Sequence, residues 1–134
     1  MPVRLDSERN RAETAFGDVK QGSEKDFRAE YKSIVVKAPA LLKTNGLVST
    51  IAFLFSKQHS SSGAAHKLLC SQIARWLSNK GIVILGTGCT CDEFVEILVK
   101  MTRLEVRRAN NETIAYLNWL KRFAEGVIEK DDDA

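Results

Sequence analysis

His66 and Cys70 stand four residues apart in a segment of helical apolar spacing, and Cys89-Thr90-Cys91 follows downstream, so four residues of zinc-ligating type are present. A structural zinc site usually begins with two ligands two to four residues apart at a tight knuckle. A Cys-x-Cys pair that opens a helix departs from that pattern, and Cys70 beside Leu69 and Ile73 reads as a small buried hydrophobe. No metal and no cofactor is expected. Gly86-Thr87-Gly88 ahead of a helix start offers backbone N–H groups to an anion. A dinucleotide fingerprint, however, needs a third glycine where Cys91 stands, and a parallel sheet around it. His59 lies in a serine-rich loop near Ser61, and His66 near Cys70, but a nucleophile and its base must converge in space, not merely in sequence. Paired carboxylates are excluded from the middle of the chain, because no Asp or Glu occurs between Tyr31 and Cys91. The chain is expected not to be an enzyme.

That acid-free stretch carries Lys32, Lys37, Lys43, Lys57, Lys67, Arg75 and Lys80. Its charge is +7, whereas the two flanks together carry −4, a separation that the net charge of +3 conceals. Solubility alone is served by mixing signs. A basic block without carboxylates suits a polyanion, since each cation that meets a phosphate releases counterions and a neighbouring acid would repel the backbone. The plain alternative is a lysine-rich solvated face. Near the C-terminus Arg107, Asn111, Asn118 and Arg122 fall within about 60° of one another at about 100° per residue, flanked by Arg108 and Lys121. This stripe can bind phosphates, or it can pair with Glu112, Glu125 and Glu129 as an ordinary helix surface.

The elements that must position these groups are helical. With 134 residues, two prolines and eight glycines, the chain is read as one all-α domain of about six helices spanning 1–134. Residues 1–5 and 130–134 are expected to fray, and 79–90 to form a loop with at most one extended strand. A first helix starts at Asp6 or Ser7 and ends at Gly22; Ser23 with Asp26 resembles a capping box for the next. Pro39 is expected to stop that second helix and open a short one ending at Asn45-Gly46. Leu47 to Lys57, apolar nearly all round, should be central in the core. Ala65 to Leu77 is amphipathic, and Thr90/Glu93 and Thr102/Glu105 each form a capping box, the second opening the longest helix, which runs to about Ile128. An N-terminus charged within a few residues predicts an intracellular, cytoplasmic protein, and the odd number of cysteines predicts reduced thiols. No apolar run approaches the roughly 20 residues of a membrane span.

Two segments carry a family likeness. Tyr31-Lys32-Ser33 through Ala38-Pro39-Ala40-Leu41-Leu42-Lys43-Thr44-Asn45-Gly46-Leu47 to Ile51-Ala52-Phe53-Leu54 is one, and Ala115-Tyr116-Leu117-Asn118-Trp119-Leu120-Lys121-Arg122-Phe123-Ala124-Glu125 is the other. Together they resemble the small helical subunit family of the type III-B CRISPR effector, the Cmr complex, and the likeness covers most of residues 6–129. The resemblance implies a non-catalytic helical bundle whose copies stack into a filament beside the backbone subunits that hold the CRISPR RNA, with target RNA in the groove between them and the large subunit capping one end. It implies cutting by the backbone subunits, and contact with RNA through phosphates, since guide pairing reads the sequence.

Carried over residue by residue, the resemblance points first to Lys37, Lys43, Asn45, Lys121 and Arg122 as the RNA face or subunit contacts. Charge and periodicity add Lys57, Lys67, Arg75 and Arg107. Leu42, Leu47, Phe53, Leu117, Trp119, Leu120 and Phe123 are expected in the core. The competing reading is a helical adaptor that never meets nucleic acid and uses Tyr116, Trp119 and Phe123 on a protein partner. A helix-turn-helix DNA reader with its turn at Asn45-Gly46 is disfavoured, because the following helix is too apolar to lie in a groove.

Overall fold

The computed structural model describes residues 3–61, 63–86 and 90–129. Five helices follow in order: α1 (Val3–Ser23), α2 (Arg28–Lys57), α3 (Gly63–Asn79), α4 (Cys91–Leu98) and α5 (Arg103–Val127). The fold is all-α, with no strand among the described residues. Packing is heaviest where α2 and α1 lie on α5 and where α2 lies on α3. The core between them is built from residues at three- and four-residue spacing, among them Val35, Leu42, Leu54, Leu69, Ile73, Leu117 and Leu120. Among the described residues, α2 alone is long and apolar enough to cross a bilayer by length and composition. Ten of its residues are buried against its neighbours, which accounts for that composition in a core helix.

The predicted count of about six becomes five because Pro39 does not break the chain. It sits buried inside α2, where it removes one backbone donor without ending the helix. The break expected at Asn45-Gly46 is present, but as a kink within α2 rather than a helix end: Gly46 has φ 83° and ψ 167°. Two of the three predicted caps also change. Ser23 turns back to donate to the Lys20 carbonyl at 2.8 Å, and α2 starts behind Phe27 with no side-chain cap. At α4 the Thr90 hydroxyl accepts from the Glu93 N–H at 3.2 Å, but the Glu93 carboxylate accepts from Gly86 N–H rather than from Thr90. At α5 both halves of the Thr102/Glu105 box are made, at 2.8 and 3.2 Å. The segment Leu47 to Lys57 buries Leu47, Ile51 and Leu54, while Phe53 is 38% exposed, so this stretch presents one face to solvent.

The bundle's interior carries a polar chain that joins four helices. Asp18 of α1 accepts from the Tyr116 hydroxyl of α5 and from Arg75 Nη2 of α3 at 2.8 Å. Tyr31 of α2 donates to Gln72 Oε1 at 2.6 Å, and the Gln72 amide donates to the Asp18 carbonyl at 3.0 Å and to Gln21 Oε1 at 3.1 Å. Burial raises the Asp18 carboxyl above its ordinary value, against the opposing pull of Tyr116 and Arg75. Burial also raises both phenols, Tyr31 and Tyr116, above their ordinary value. Gly22 allows this packing, since a Cβ there would overlap the Tyr31 ring.

A second cluster ties α1 and α3 to α5. Glu112 accepts from Arg11 at 2.8 and 3.0 Å and from the Trp76 indole N–H at 2.8 Å. Burial pushes the Glu112 carboxyl up, but the donors outweigh it and hold it below the ordinary value.

The cysteines correct the expectation of reduced thiols. Cys70 of α3 and Cys91, the first residue of α4, form a disulfide with Cα atoms 5.8 Å apart. An odd cysteine count says nothing about which two the fold brings together. Cys89, Thr87, Gly88 and, of the ends expected to fray, residues 1–2 and 130–134 lie outside the described residues. Residues 3–5, also expected to fray, are instead the first turn of α1, which starts ahead of the expected Asp6 or Ser7.

Candidate nucleic-acid interface

The fold sorts the central basic block into cations that have protein partners and cations that face outward. Arg75 belongs to the first group through its bond to Asp18. So does Lys32, whose ammonium donates to the Ile128 carbonyl at 2.9 Å. Lys37 is exposed, and the fold places it in grooves that also hold carboxylates. It lines a groove of about 530 Å³ with Glu125 and Glu129 of the C-terminal segment, and another of about 290 Å³ with Glu30, Phe53 and His66. The second is an aromatic corner, where Phe53 and His66 meet edge to face at 5.8 Å.

Lys43 and Asn45 are exposed on α2 beside the Gly46 kink. Lys57 is exposed near the end of α2, with its ammonium 5.8 Å from the Phe53 ring centroid. Lys67 is exposed on α3 and lines a groove of about 410 Å³ that also contains Lys25 and Phe27.

On α5 the predicted stripe is present. Arg107, Asn111, Asn118 and Arg122 are all exposed, and Lys121 is partly buried. Arg107 and Arg122 lie fifteen residues apart, so about 22 Å of helix separates them and they cannot act on one phosphate. Arg122 shares a groove of about 250 Å³ with Glu8, Asn118 and Trp119.

Trp119 and Phe123, expected in the core, lie at its edge. Trp119 stacks on Phe123 at 5.7 Å, and Phe123 meets Phe16 of α1 edge to face at 5.3 Å, with Phe16 46% exposed. Tyr116, assigned to a partner surface in the adaptor reading, is fully buried against Trp76 and Asp18.

Sequence reasoning missed Lys25 and the outward side of Phe27. Lys25 lies between Glu24 and Asp26, outside the acid-free block, and Phe27 fits the apolar stripe of α2. Only the turn between α1 and α2 sets them beside α3, so no linear signal marks them.

The described residues thus form a small five-helix bundle whose open grooves are edged by cations, aromatic rings and, in four of five, glutamates. The model of the family described as CRISPR-associated protein (Cas_Cmr5) matches residues 7–127, and the chain belongs to that family. It is 28% identical over 119 residues to the CRISPR system Cmr subunit Cmr5 of Thermus thermophilus, covering 89% of this chain and 93% of that one. The crystal structure of a CRISPR-associated Cmr5 family protein from the same organism superposes with a TM-score of 0.73 at 28% identity, over 91% of this chain and 97% of the other.

Proposed function

We propose that this chain is the non-catalytic small subunit of a type III-B CRISPR ribonucleoprotein, the Cmr effector of antiviral defence, and works in the cytoplasm. The family match across residues 7–127 carries the reading. Copies of the chain stack beside the backbone subunits and present outward lysines to target RNA, while the neighbouring subunits carry out cleavage. Stacking supplies what one copy lacks. A single subunit offers only a few phosphate contacts, but several copies on one strand multiply them through effective concentration. Lys37, Lys43, Asn45, Lys57 and Lys67 are the candidates of α2 and α3 that the fold leaves exposed without an ion pair among the described residues, with Arg107 and Arg122 on α5. Of these, Lys43, Asn45, Lys57, Lys67 and Arg107 line no groove with a glutamate among the grooves described. Arg75 is held within the chain by Asp18, Lys121 is partly buried, and Lys37 shares its grooves with glutamates.

A helical adaptor without nucleic acid is the second reading, favoured by the exposed edge of Phe16 beside Trp119 and Phe123. The deciding experiment is reconstitution with the other Cmr subunits and a CRISPR RNA. Stoichiometric incorporation, with target-RNA affinity lost when this chain is left out, is the expected result. A chain that stays out of the assembly contradicts the proposal.

A further inference from the structure

The groove between the α1–α2 turn and the start of α4 differs from its neighbours in chemistry. Four other surface grooves each include a glutamate: Glu30, Glu8, the Glu125/Glu129 pair and Glu112. This one holds about 410 Å³ and is edged by Lys25, Phe27, Lys67, Leu68, Ser71 and Thr90, with no carboxylate among its lining residues. Its volume is within the range of about 300–1,000 Å³ of small-ligand sites. The first two acids of α4 are hydrogen-bonded outside the groove, Asp92 accepting from Gln58 Nε2 at 3.4 Å and Glu93 from Gly86 N–H, and Glu24 and Asp26 beside Lys25 are not among its lining.

From this we infer that the groove is a nucleotide subsite for single-stranded RNA, in which a base lies against Phe27 and Leu68 while Lys25 and Lys67 take phosphates. The inference rests on the RNA reading above and adds a base contact to it. Two exposed ammonium groups flanking a partly buried ring match the alternation of phosphate and base along a single strand, and stacking on a ring tolerates any base. That tolerance suits a protein whose sequence choice is made by guide pairing. The groove is also anchored. Its floor includes Cys91, whose disulfide to Cys70 fixes the start of α4 against α3. On the other side the turn is fastened by Lys25 N–H to the Gly22 carbonyl at 3.2 Å and Arg28 N–H to the Lys25 carbonyl at 3.2 Å.

The test compares a short oligouridine with an abasic phosphodiester of equal length, on the wild-type chain, Phe27→Leu, and the Lys25→Ala/Lys67→Ala pair. Photocrosslinking of 4-thiouridine RNA maps the contact independently of any variant. The wild type is expected to prefer the oligouridine about tenfold. Phe27→Leu should lose most of that preference, the lysine pair should weaken both ligands, and the adduct should map to the peptide containing Phe27. Salt-sensitive RNA binding that neither variant changes, with adducts elsewhere, overturns the subsite while leaving the RNA reading intact. A wild-type chain that binds RNA neither alone nor in the reconstituted complex removes both.

Discussion

Arg75 and Lys67 stand two helical turns apart on α3, about 12 Å along one axis, and in the sequence they are equivalent members of an acid-free basic block. The fold gives them opposite fates. Arg75 reaches Asp18 and becomes part of the chain of bonds that joins four helices, whereas Lys67 edges a groove that has no carboxylate. Absence of acids along a sequence is therefore not absence in space. Where α1 and α5 fold over the block they bring Asp18, Glu112, Glu125 and Glu129 to it; where α4 approaches, Asp92 and Glu93 accept from neutral groups, the Gln58 amide and the Gly86 N–H, rather than from a cation. The interior region holds the bundle together, and the outer one keeps Lys67 exposed beside a groove without carboxylates.

The largest effect should come from the bond that anchors the groove's floor. Reducing Cys70–Cys91, which closes a ring with a sequence separation of 21, is expected to lower stability by about 3 kcal/mol. Urea midpoints with and without a dithiol check this, and a Cys70→Ala/Cys91→Ala chain should not respond to the reductant. Close behind is Asp18→Ala, which leaves the buried Tyr116 hydroxyl without its acceptor and releases Arg75. A loss of about 2–3 kcal/mol is expected in the same assay. A loss as small as that from an exposed residue such as Lys43→Ala would erase the distinction between the two regions.

Gly22→Ala should cost about 2 kcal/mol, because the added methyl overlaps the Tyr31 ring and shifts the α1–α2 turn. It also bears on the groove, since the Gly22 carbonyl receives the Lys25 N–H. Glu112→Gln should cost about 1 kcal/mol at neutral pH. Here the sign with pH is fixed: the folded carboxyl is held below its ordinary value of 4.5, so its stabilisation is present above that value and fades as pH falls through 4.5 and below. The gap between wild type and variant should narrow in acid. Asp18 runs the other way, because its raised folded value makes ionisation cost stability as pH rises past the usual carboxylate range.

Much of this molecule is legible in order along the chain. The helical class follows from apolar spacing, and the start of α5 from Thr102 and Glu105, a local device that depends on nothing else in the fold. Pro39 and Ser23 mislead because their effects depend on surroundings. A buried proline can be carried by a helix whose packing compensates for one missing donor, and a serine four residues before Phe27 finds a nearer carbonyl. Asn45-Gly46 is legible as a break, since positive φ is a property of the residue itself. The family likeness rests on two segments, and both lie on the core helices α2 and α5. Candidate contacts are harder. Exposure of Lys43, partnering of Arg75, and the meeting of Lys25 with Lys67 all depend on which helices pack together, and no spacing rule carries that.

The central claim is that outward lysines of the acid-free block, rather than its partnered cations, meet RNA. Its most direct test is binding of single-stranded RNA of about 40 nucleotides across a salt series. The wild type is compared with a Lys43→Ala/Lys57→Ala/Lys67→Ala chain and with Arg75→Gln. The triple variant is expected to lower the slope of log affinity against log salt by about two to three, and Arg75→Gln to leave the slope unchanged. An unchanged slope in the triple variant, or a loss confined to Arg75→Gln, would contradict the claim.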